Sequence, residues 1–488
     1  MIVERIIASV LGGETRVALL SADRLIELLI ERPGQTSIAG NIYLGRVEGV
    51  LQGLQAAFVE IGQERPGFLA LAEARPFGEE GGDISDYLSE GDAVIVQIQR
   101  DPFADKGAKL TTHISLPGRH IVYLPEQGGI QISRRIEDTL TRERLSATLK
   151  GNIDRGEGVI LRTSAAEAGE EELAFEIDSL REIWFGITDA RSNVRAPALL
   201  HREPDLVPRI LRDTAGPEIK KIIVDDGASL KAARAYCEKF APEMSDRIEL
   251  HNGPGDLFET SGIEAEIDAA LAPRVPLPSG GGLIIEETAA LTAIDVNTGS
   301  VGGSRGDTGH RVNLEAVPEI ARQIRLRNLS GLVVVDFVSD KNASRRAEVL
   351  RALRREMSSD PVPVHVGGFT TMGLVEMTRR RRREPLAGSL SEPCPSCAGG
   401  GWIRSCDTVA FMILRRVLAE DRASPGIQLR VTAAPGVIDA LVRGTAAPTR
   451  KEVEARLGRE LVLSSDPTRA ADRFEIGPAP RDKAPDNG

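Results

Sequence analysis

The first part of the chain alternates apolar and polar residues over short stretches, with the period of β-strands. Within residues 1–34, the segment "RVALLSADRLIELLIERPG" predicts a hairpin. The following stretch, "GNIYLGRVEGVLQGLQAAFVEIGQERPGFLAL", places short apolar runs between glycines, and "GDAVIVQIQRDPFADKGAKLTTHISL" continues the pattern. About five short strands over roughly 80 residues are typical of a small barrel of the OB type.

Helical spacing begins after the predicted barrel. Between residues 119 and 165, short strands surround the helical stretch "RRIEDTLTRERLSATLKG", and residues 170–190 have the spacing of an amphipathic helix. After "APALLHREPD" the pattern becomes a helix, a strand ("KKIIVDD") and a second helix. This alternation of periods predicts a mixed α/β region.

The proline- and glycine-rich joint "APRVPLPSGGG" predicts a domain boundary near residues 271–282. Beyond it we predict a strand over residues 283–296, the helix "RVNLEAVPEIARQIRLRNL" and the strand "GLVVVDFVSD". This order predicts a parallel crossover unit. A further helix, "ASRRAEVLRALRREMS", and a further strand, "VPVHVGGF", follow. The expected class is a multidomain protein of α+β and α/β type.

Composition bears on the compartment and the partners. The net charge of −11 argues weakly against a protein whose whole surface binds nucleic acid, yet arginines are concentrated in "SRRIED", "ARQIRLRNL" and "MTRRRRREP". Four cysteines among 488 residues argue against a disulfide scaffold. No apolar run reaches the roughly 20 residues of a membrane helix, and "MIVERIIASV" reads as a first strand, not a signal peptide. A cytoplasmic protein is therefore expected.

Polar side chains end two of the predicted strands. Asp295 and Asn297, in "LTAIDVNTGS", are two residues apart and point to one face of the strand, and Asp336 lies near the carboxyl end of the next strand. These strand ends meet at one edge of a parallel sheet, where α/β proteins bind ligands. The carboxylates and the amide suit Mg²⁺, which could polarise a phosphodiester. The alternative is a turn or helix cap in which Asp295 accepts bonds from backbone amides.

Two other motifs also have alternative interpretations. Cys394 and Cys397 form "CPSC" before a glycine run, the shape of a thiolate knuckle, but structural zinc usually takes four ligands. The pair is therefore part of a zinc site, a redox pair or an unmetallated turn. Phe58 and Phe68 either supply the core of the barrel or stack nucleic-acid bases, because any base can stack on an aromatic ring.

Six blocks of the chain, in order and spacing, resemble the ribonuclease E/G family of single-strand-specific endoribonucleases. They are "NIYLGRVEGVLQGLQAAFVEIGQERPGFL", "AIDVNTGS", "LEAVPEIARQIRLRNL", "GLVVVDFVSD", "GLVEMTRRR" and "CPSCAGGG". The similarity covers about residues 1–465 and is closest to family members without a long disordered scaffold. It implies metal-dependent hydrolysis of RNA, leaving a 5′-monophosphate on the downstream fragment, in rRNA processing and mRNA decay. The alternative is a non-catalytic RNA-binding scaffold or chaperone.

The resemblance also implies a domain organisation, to which composition adds a disordered tail. The segments are an RNase H-like fold at 1–34 and 205–270, an OB-fold RNA-binding barrel at 35–112, a 5′-sensor at 113–204, a DNase I-like catalytic subdomain at 271–390, a zinc-link at 391–403, a small C-terminal domain at 404–465 and the tail at 466–488.

Catalytic and metal-binding positions follow from the same resemblance. Asp295 and Asp336 match the two catalytic aspartates that bind Mg²⁺, and Asn297 matches the amide that accompanies the first. Cys394 and Cys397 match a zinc-link in which two protomers share one Zn²⁺. A homodimer is therefore expected, with a homotetramer as a further assembly.

The resemblance implies two RNA-binding surfaces. In the barrel, Phe58 and Phe68 match positions that hold RNA bases, and Lys106 matches their basic partner. The pocket that recognises a 5′-monophosphate corresponds to Gly118, Val122, Arg162 and Thr163. The planar guanidinium of Arg162 suits bidentate recognition of phosphate, with a hydroxyl bond from Thr163. Apart from the resemblance, an Arg-Thr pair after a strand is an ordinary surface feature, and the arginine run 379–383 is typical of a solvated face.

Overall fold

The structure, a computed structural model, describes residues 2–32, 36–102, 106–299, 305–395, 397, 399, 401 and 403–479. It divides into two compact units, residues 1–389 and 390–488. The strands of these residues are β1 Arg5–Leu11, β2 Glu14–Ser21, β3 Arg24–Glu31, β4 Ile42–Leu51, β5 Ala56–Glu60, β6 Gly67–Ala70, β7 Ala93–Arg100, β8 Lys109–Thr111, β9 Leu116–Pro117, β10 Ile121–Leu124, β11 Gly129–Ile132, β12 Gly158–Leu161, β13 Ala198–His201, β14 Lys221–Val224, β15 Ile248–Leu250, β16 Arg274–Pro276, β17 Gly282–Glu287, β18 Leu291–Asn297, β19 Gly331–Asp336, β20 Val364–Phe369, β21 Leu374–Arg379, β22 Leu429–Ala433, β23 Val462–Ser465 and β24 Phe474–Pro478. The helices are α1 Leu71–Ala74, α2 Ile84–Tyr87, α3 Thr139–Lys150, α4 Glu170–Asn193, α5 Leu206–Thr214, α6 Gly227–Phe240, α7 Leu257–Thr260, α8 Ile263–Leu271, α9 Arg305–Leu326, α10 Ala343–Ser358, α11 Leu386–Leu390, α12 Cys406–Ala423, α13 Pro435–Val442 and α14 Ala447–Leu457.

The amino-terminal sheet has the strand order β15-β14-β1-β2-β3. Strands β1, β2 and β3 are antiparallel neighbours, which confirms the predicted hairpin, whereas β1 and β14 run parallel with Arg5 opposite Lys221. Apolar residues of α5 and α6 pack on this sheet, where Ile6 and Leu211 are buried. The chain leaves the sheet after β3 and returns to it with α5 and β14, so the segment between β3 and α5 is an insertion into this fold.

The first part of the insertion is a barrel, as predicted. Five strands close in the order β4-β5-β6-β8-β7 because β7 also pairs with β4, and β13 adds to the other edge of β4. The side chains that fill its interior include Ala57, Val59 and Leu69, each fully buried. The second part is a sheet of order β11-β12-β10-β9 whose core is shared with α3 and α4.

A sheet of order β16-β17-β18-β19-β21-β20 follows. Strands β18 and β19 run parallel and α9 connects them, which confirms the predicted crossover unit. The prediction of one strand over residues 283–296 is wrong, because β17 and β18 form an antiparallel hairpin. Thr288 closes its turn by hydrogen bonds with the backbone of Leu291. The turn contains apolar Ala289 and Ala290 in exposed positions, so the run looked continuous in the sequence.

The carboxy-terminal unit contains a sheet of order β23-β22-β24 packed with α12, α13 and α14. The predicted disordered tail 466–488 is wrong over part of its length, since β24 pairs antiparallel with β22. Phe474 and Ile476 of β24 pack against the core of this unit. Their alternation gives this edge strand one apolar face towards the core, in a segment otherwise rich in Pro, Asp and Arg. Residues 480–488 of the predicted tail lie outside the described residues.

Among the described residues, no helix combines the length and the apolar character that crossing a bilayer requires.

Candidate functional site

The predicted carboxylates are neighbours in the parallel ladder of β18 and β19, where Asp295 lies directly opposite Asp336. Adjacent strands are about 4.8 Å apart, and residues opposite each other point to the same face. The alternate residues, among them Ile294 and Val335, are buried against α9 and α10. Both carboxylates are therefore held by a packed sheet and exposed on its uncovered face.

Asn297 completes this group. Its side chain is exposed on the same face of β18, and its Nδ2 donates a hydrogen bond to Oδ2 of Asp295. Because the amide nitrogen is used in this way, the amide oxygen of Asn297 is left for another partner.

The turn-cap interpretation of Asp295 finds no support in the described residues. There, neither Asp295 nor Asp336 accepts a hydrogen bond from a backbone amide or forms a salt bridge with a lysine or arginine. The described residues also contain no cluster of three or more His, Cys, Asp or Glu that could hold a metal. The donor set at this edge is therefore two carboxylates and one amide.

In the barrel, Phe58 and Phe68 are cross-strand partners on β5 and β6. Their rings meet edge to face with centroids 6.0 Å apart, and both side chains are half-buried. Neither belongs to the buried core, which Ala57, Val59 and Leu69 fill from the opposite face. The interpretation of these phenylalanines as core residues is therefore wrong, and both rings lie on the outer wall of the barrel.

Lys106 lies beside the same wall. Its side chain is exposed, and Ala108, two residues later, accepts a hydrogen bond from the backbone amide of Phe68 at 2.8 Å. Lys109 is the register partner of Phe68 on β8, but its ammonium group is paired with Glu73 at 2.8 Å. The barrel thus presents two aromatic rings on its outer wall, and the exposed Lys106 lies two residues before the backbone that pairs with Phe68.

The structure brings the predicted phosphate-pocket residues together at the ends of β9, β10 and β12. Nη1 of Arg162 donates to the carbonyl of Gly118 at 2.8 Å and to Oδ1 of Asp213 at 2.9 Å. Thr163 is exposed beside Arg162, with its hydroxyl 3.1 Å from that of Ser133. Val122 is half-buried on β10. The arrangement presents a guanidinium and a hydroxyl from one loop.

Asp213 was absent from the sequence predictions, because it follows Arg162 by 51 residues and lies on α5. Its carboxylate also accepts bonds from Nε and Nη2 of Arg212, each at 3.3 Å. Burial raises the pKa of Asp213, but the Arg212 and Arg162 guanidinium groups outweigh burial and hold that pKa below its usual range. A carboxylate that stays ionised therefore orients Arg162.

A second missed acid, Glu176 of α4, lies beneath the same loop. Its carboxylate accepts hydrogen bonds from the backbone amides of Arg119 and His120, and only 3% of the residue is exposed. Burial raises the pKa of Glu176 to about 7, against the bonds from His120 and Arg119 and the charge of Arg162, which lower it. In the sequence it is hidden within the acid-rich "EAGEEELAFEID", where no spacing singles it out.

The arginine run 379–383 has structural partners. Arg379, only 3% exposed, pairs with Asp360 at 3.0 Å. Arg383 pairs with Glu27 of the amino-terminal sheet. Arg379 and Arg383 therefore join parts of the first unit, whereas Arg380, Arg381 and Arg382 are exposed, as expected for the solvated face that the sequence favoured.

The cysteines of the predicted knuckle lie in the carboxy-terminal unit. Cys394 is exposed and Cys397 is half-buried. Four positions of the predicted zinc-link, residues 396, 398, 400 and 402, lie outside the described residues. Cys237 is buried within α6, and burial raises the pKa of its thiol to about 11, so it is not a candidate ligand.

Comparison with known proteins gives a consistent match. A family model described as the ribonuclease E/G family matches residues 115–382. The chain is 37% identical to ribonuclease G of Escherichia coli (strain K12) over 483 residues, which cover 96% of this chain and 99% of that protein. It is 36% identical to ribonuclease G of Haemophilus influenzae over 96% of this chain and 98% of that protein. The match to ribonuclease E of Escherichia coli (strain K12) is 37% identical but covers 83% of this chain and 39% of that protein.

Proposed function

The chain belongs to the ribonuclease E/G family, and from this premise we propose that it is an endoribonuclease that hydrolyses single-stranded RNA in rRNA processing and mRNA decay. The observation that carries the proposed chemistry is the pairing of Asp295 with Asp336 in adjacent parallel strands, both facing solvent. Two exposed carboxylates directly opposite each other repel, so a bound cation is the simplest stabilising partner.

Mg²⁺ is the cation that this donor set fits. Magnesium is usually bound by one or two carboxylates and keeps several waters together with phosphate oxygens of the substrate, so no third acid is required. When bound, the ion supplies polarisation of the phosphodiester and lowers the pKa of a coordinated water.

The residues of the protein would hold the ion and position the RNA. Asp295 and Asp336 would hold the cation, and the Asn297 amide orients the Asp295 carboxylate by its hydrogen bond. The open face of the sheet gives an unpaired RNA strand room to approach, while the core behind it keeps the carboxylates in register. We assign base stacking to Phe58 and Phe68, and a phosphate contact to Lys106.

The proposed activity is tested with matched single-stranded RNA and DNA oligonucleotides at increasing Mg²⁺ or Mn²⁺. We expect the RNA to be cleaved only with the divalent ion present, with a 5′-monophosphate on the downstream product, and the DNA to remain intact. Equal cleavage of both, or cleavage in excess chelator, would contradict the assignment. RNA binding without turnover under all metal conditions would favour the scaffold alternative.

We also propose that the loop around Gly118 and Arg162 recognises a 5′-monophosphate, with Val122 and Thr163 completing the pocket. In support, Arg162 is already oriented by Gly118 and Asp213, and a guanidinium with free N–H groups suits phosphate. A 5′-end bound here would hold the RNA on the enzyme and so stimulate cleavage elsewhere along the strand.

Arg162→Ala should reduce the preference for RNA with a 5′-monophosphate over RNA with a 5′-hydroxyl. A hydrogen bond to a charged group contributes about 1.5–3 kcal/mol, so the ratio of kcat/KM values should fall about ten- to a hundredfold. The measurement is the cleavage of two oligonucleotides that differ only at this end. Arg191→Ala, an exposed arginine of α4, serves as the control. An unchanged ratio in the Arg162 variant would remove this residue from the sensor.

For the cysteines we propose a Zn²⁺ shared between two protomers, each contributing Cys394 and Cys397, which makes a homodimer. Two thiolates from each of two chains complete the tetrahedral set that structural zinc takes. A homotetramer would require a further interface.

Cys394→Ser should release zinc and shift the molecular mass towards the monomer, because structural zinc sites hold their ligands together with a large binding free energy. Metal content by elemental analysis and mass by light scattering measure both effects on one sample. Cys406→Ser is the matched control, since this cysteine begins α12 outside the knuckle. A wild-type dimer that contains no zinc would contradict the bridging role.

The domain assignments complete the proposal. We propose that the amino-terminal sheet, residues 1–34 and 205–270, is RNase H-like. The barrel at 35–112 is of the OB type, the segment 113–204 is the 5′-sensor, and the sheet within 271–390 is DNase I-like. Residues 391–403 form the zinc-link and 404–465 belong to a small C-terminal domain. A cytoplasmic location fits this activity and the low cysteine content.

A further inference from the structure

The buried carboxylate of Glu176 organises the loop from which Arg162 is held. Its Oε2 accepts the backbone amide of His120 at 3.0 Å, its Oε1 accepts the same amide at 3.2 Å, and Oε1 also accepts the amide of Arg119. The acceptor is 57 residues away from Arg119 along the chain. A single side chain of α4 thus holds two consecutive peptide units.

Gly118 is shaped by the same carboxylate. A Cβ added at this position would collide with Oε1 of Glu176, so the glycine lets the backbone pass directly over the acid. The carbonyl of Gly118 is the acceptor that holds Nη1 of Arg162 at 2.8 Å. A second link joins the same loop, because the amide of Arg162 donates to the carbonyl of His120 at 2.8 Å. The position of Glu176 therefore sets the position of the two backbone carbonyls that hold Arg162, while Asp213 supplies a third acceptor from α5.

The cost of this arrangement argues against packing as its only purpose. A buried carboxylate loses its hydration, and an apolar side chain is the ordinary choice where a helix faces a core. The neighbouring buried positions of α4, Leu173, Ile177 and Leu180, follow that rule. Glu176 and the smaller Ser179 depart from it, and Glu176 does so where its carboxylate reaches the backbone amides of residues 119 and 120.

We propose that Glu176 is a positioning residue of the 5′-monophosphate sensor, which sets the specificity for the 5′-end by holding the backbone of residues 118–120 and, through Gly118, the guanidinium of Arg162. The inference rests on the proposed recognition of a 5′-monophosphate. Glu176 acts through these groups and does not touch the RNA.

The test compares Glu176→Gln and Glu176→Asp with wild type, using the two oligonucleotides that differ only in a 5′-monophosphate or a 5′-hydroxyl. Glutamine keeps the shape but offers one acceptor oxygen, whereas aspartate keeps the charge but falls one methylene short of the loop. The ratio of kcat/KM values for the two ends should fall about fivefold or more in both variants, the effect of a misplaced hydrogen bond. A loss of stability alone lowers cleavage of both substrates equally and leaves the ratio intact.

Glu172→Gln is the matched control. Glu172 lies one turn earlier on α4 and contacts the side chains of Arg119 and His120, not their backbone. Its variant should keep the wild-type ratio. An unchanged ratio in folded Glu176 variants, as judged by circular dichroism, would overturn the positioning role alone. If the wild-type protein cleaved both substrates with equal kcat/KM values, the proposed 5′-monophosphate sensor would be rejected, and this inference would be rejected with it.

A double-mutant cycle gives a second measurement that does not depend on whether any single variant folds normally. Gly118→Ala should lower the ratio in the wild-type background, because the new methyl group meets the Glu176 carboxylate. In the Glu176→Ala background that obstacle is gone, so the same substitution should have a smaller effect. Equal effects of Gly118→Ala in both backgrounds would contradict direct packing of the glycine on the acid.

Discussion

Replacement of Asp295 or Asp336 by asparagine should abolish RNA cleavage while leaving RNA binding nearly intact. Each change removes one of the two charged donors proposed to hold the divalent ion, and it preserves the shape of the side chain. A metal ion contributes several kcal/mol of transition-state stabilisation, so kcat should fall about a thousandfold or more. Because the barrel is formed by a different sheet from the one that carries these residues, it should still bind RNA.

The measurement pairs a single-turnover cleavage assay with fluorescence polarisation of the same labelled RNA. Calorimetric titration with Mn²⁺ adds a readout that does not depend on activity, because the variants should lose the high-affinity site. Glu286→Gln is the control, since Glu286 is also exposed, on the neighbouring strand β17, and pairs with Ala293. Full activity in both aspartate variants would reject the metal assignment and return the carboxylates to a structural role.

Substitution of Phe58 or Phe68 by alanine should weaken RNA binding strongly. A base stacked on an aromatic ring contributes about 1–3 kcal/mol, which corresponds to roughly a five- to 150-fold rise in Kd. The centroids of the two rings are 6.0 Å apart, so the rings contact each other. The double variant should therefore lose less binding free energy than the sum of the two single losses. The rings are half-buried on the outer wall, so thermal stability should change far less than for a core phenylalanine.

Binding is measured by polarisation with a single-stranded oligonucleotide, and the melting temperature of each variant is recorded in parallel. Phe77→Ala provides a matched control, because Phe77 is 54% exposed and packs edge to face on His113 without belonging to the Phe58 and Phe68 pair. Unchanged affinity together with a marked drop in melting temperature would show that the phenylalanines are structural.

Local patterns in the sequence were sufficient for much of the fold. Alternation and glycine spacing predicted the barrel, and the order strand, helix, strand predicted the parallel pair that brings Asp295 and Asp336 together. These predictions succeed because strand and helix periods are properties of consecutive residues. They failed where the pattern was short or continuous, as in the hairpin of β17 and β18 and the edge strand β24.

The residues of the candidate site also fall into those that local spacing could place and those that it could not. Residues that share a strand or follow a strand end, such as Asp295 and Asn297, could be placed on one face from their spacing alone. The pairing of β14 with β1 could not be predicted from the sequence. It joins segments about 200 residues apart and depends on which apolar faces cover each other. The same applies to the outward position of Phe58, which depends on the face of the barrel wall that becomes the core.

The sequence by itself determined most of the elements, the family and the positions of the acids at the strand ends. Only the tertiary structure decided that Asp213 and Glu176 support the loop of Arg162, because their contacts lie 51 and 57 residues along the chain and leave no periodic signal. Contacts between distant segments are set by how the layers pack, and a buried acid in a charged helix looks like any other until its partner is in place.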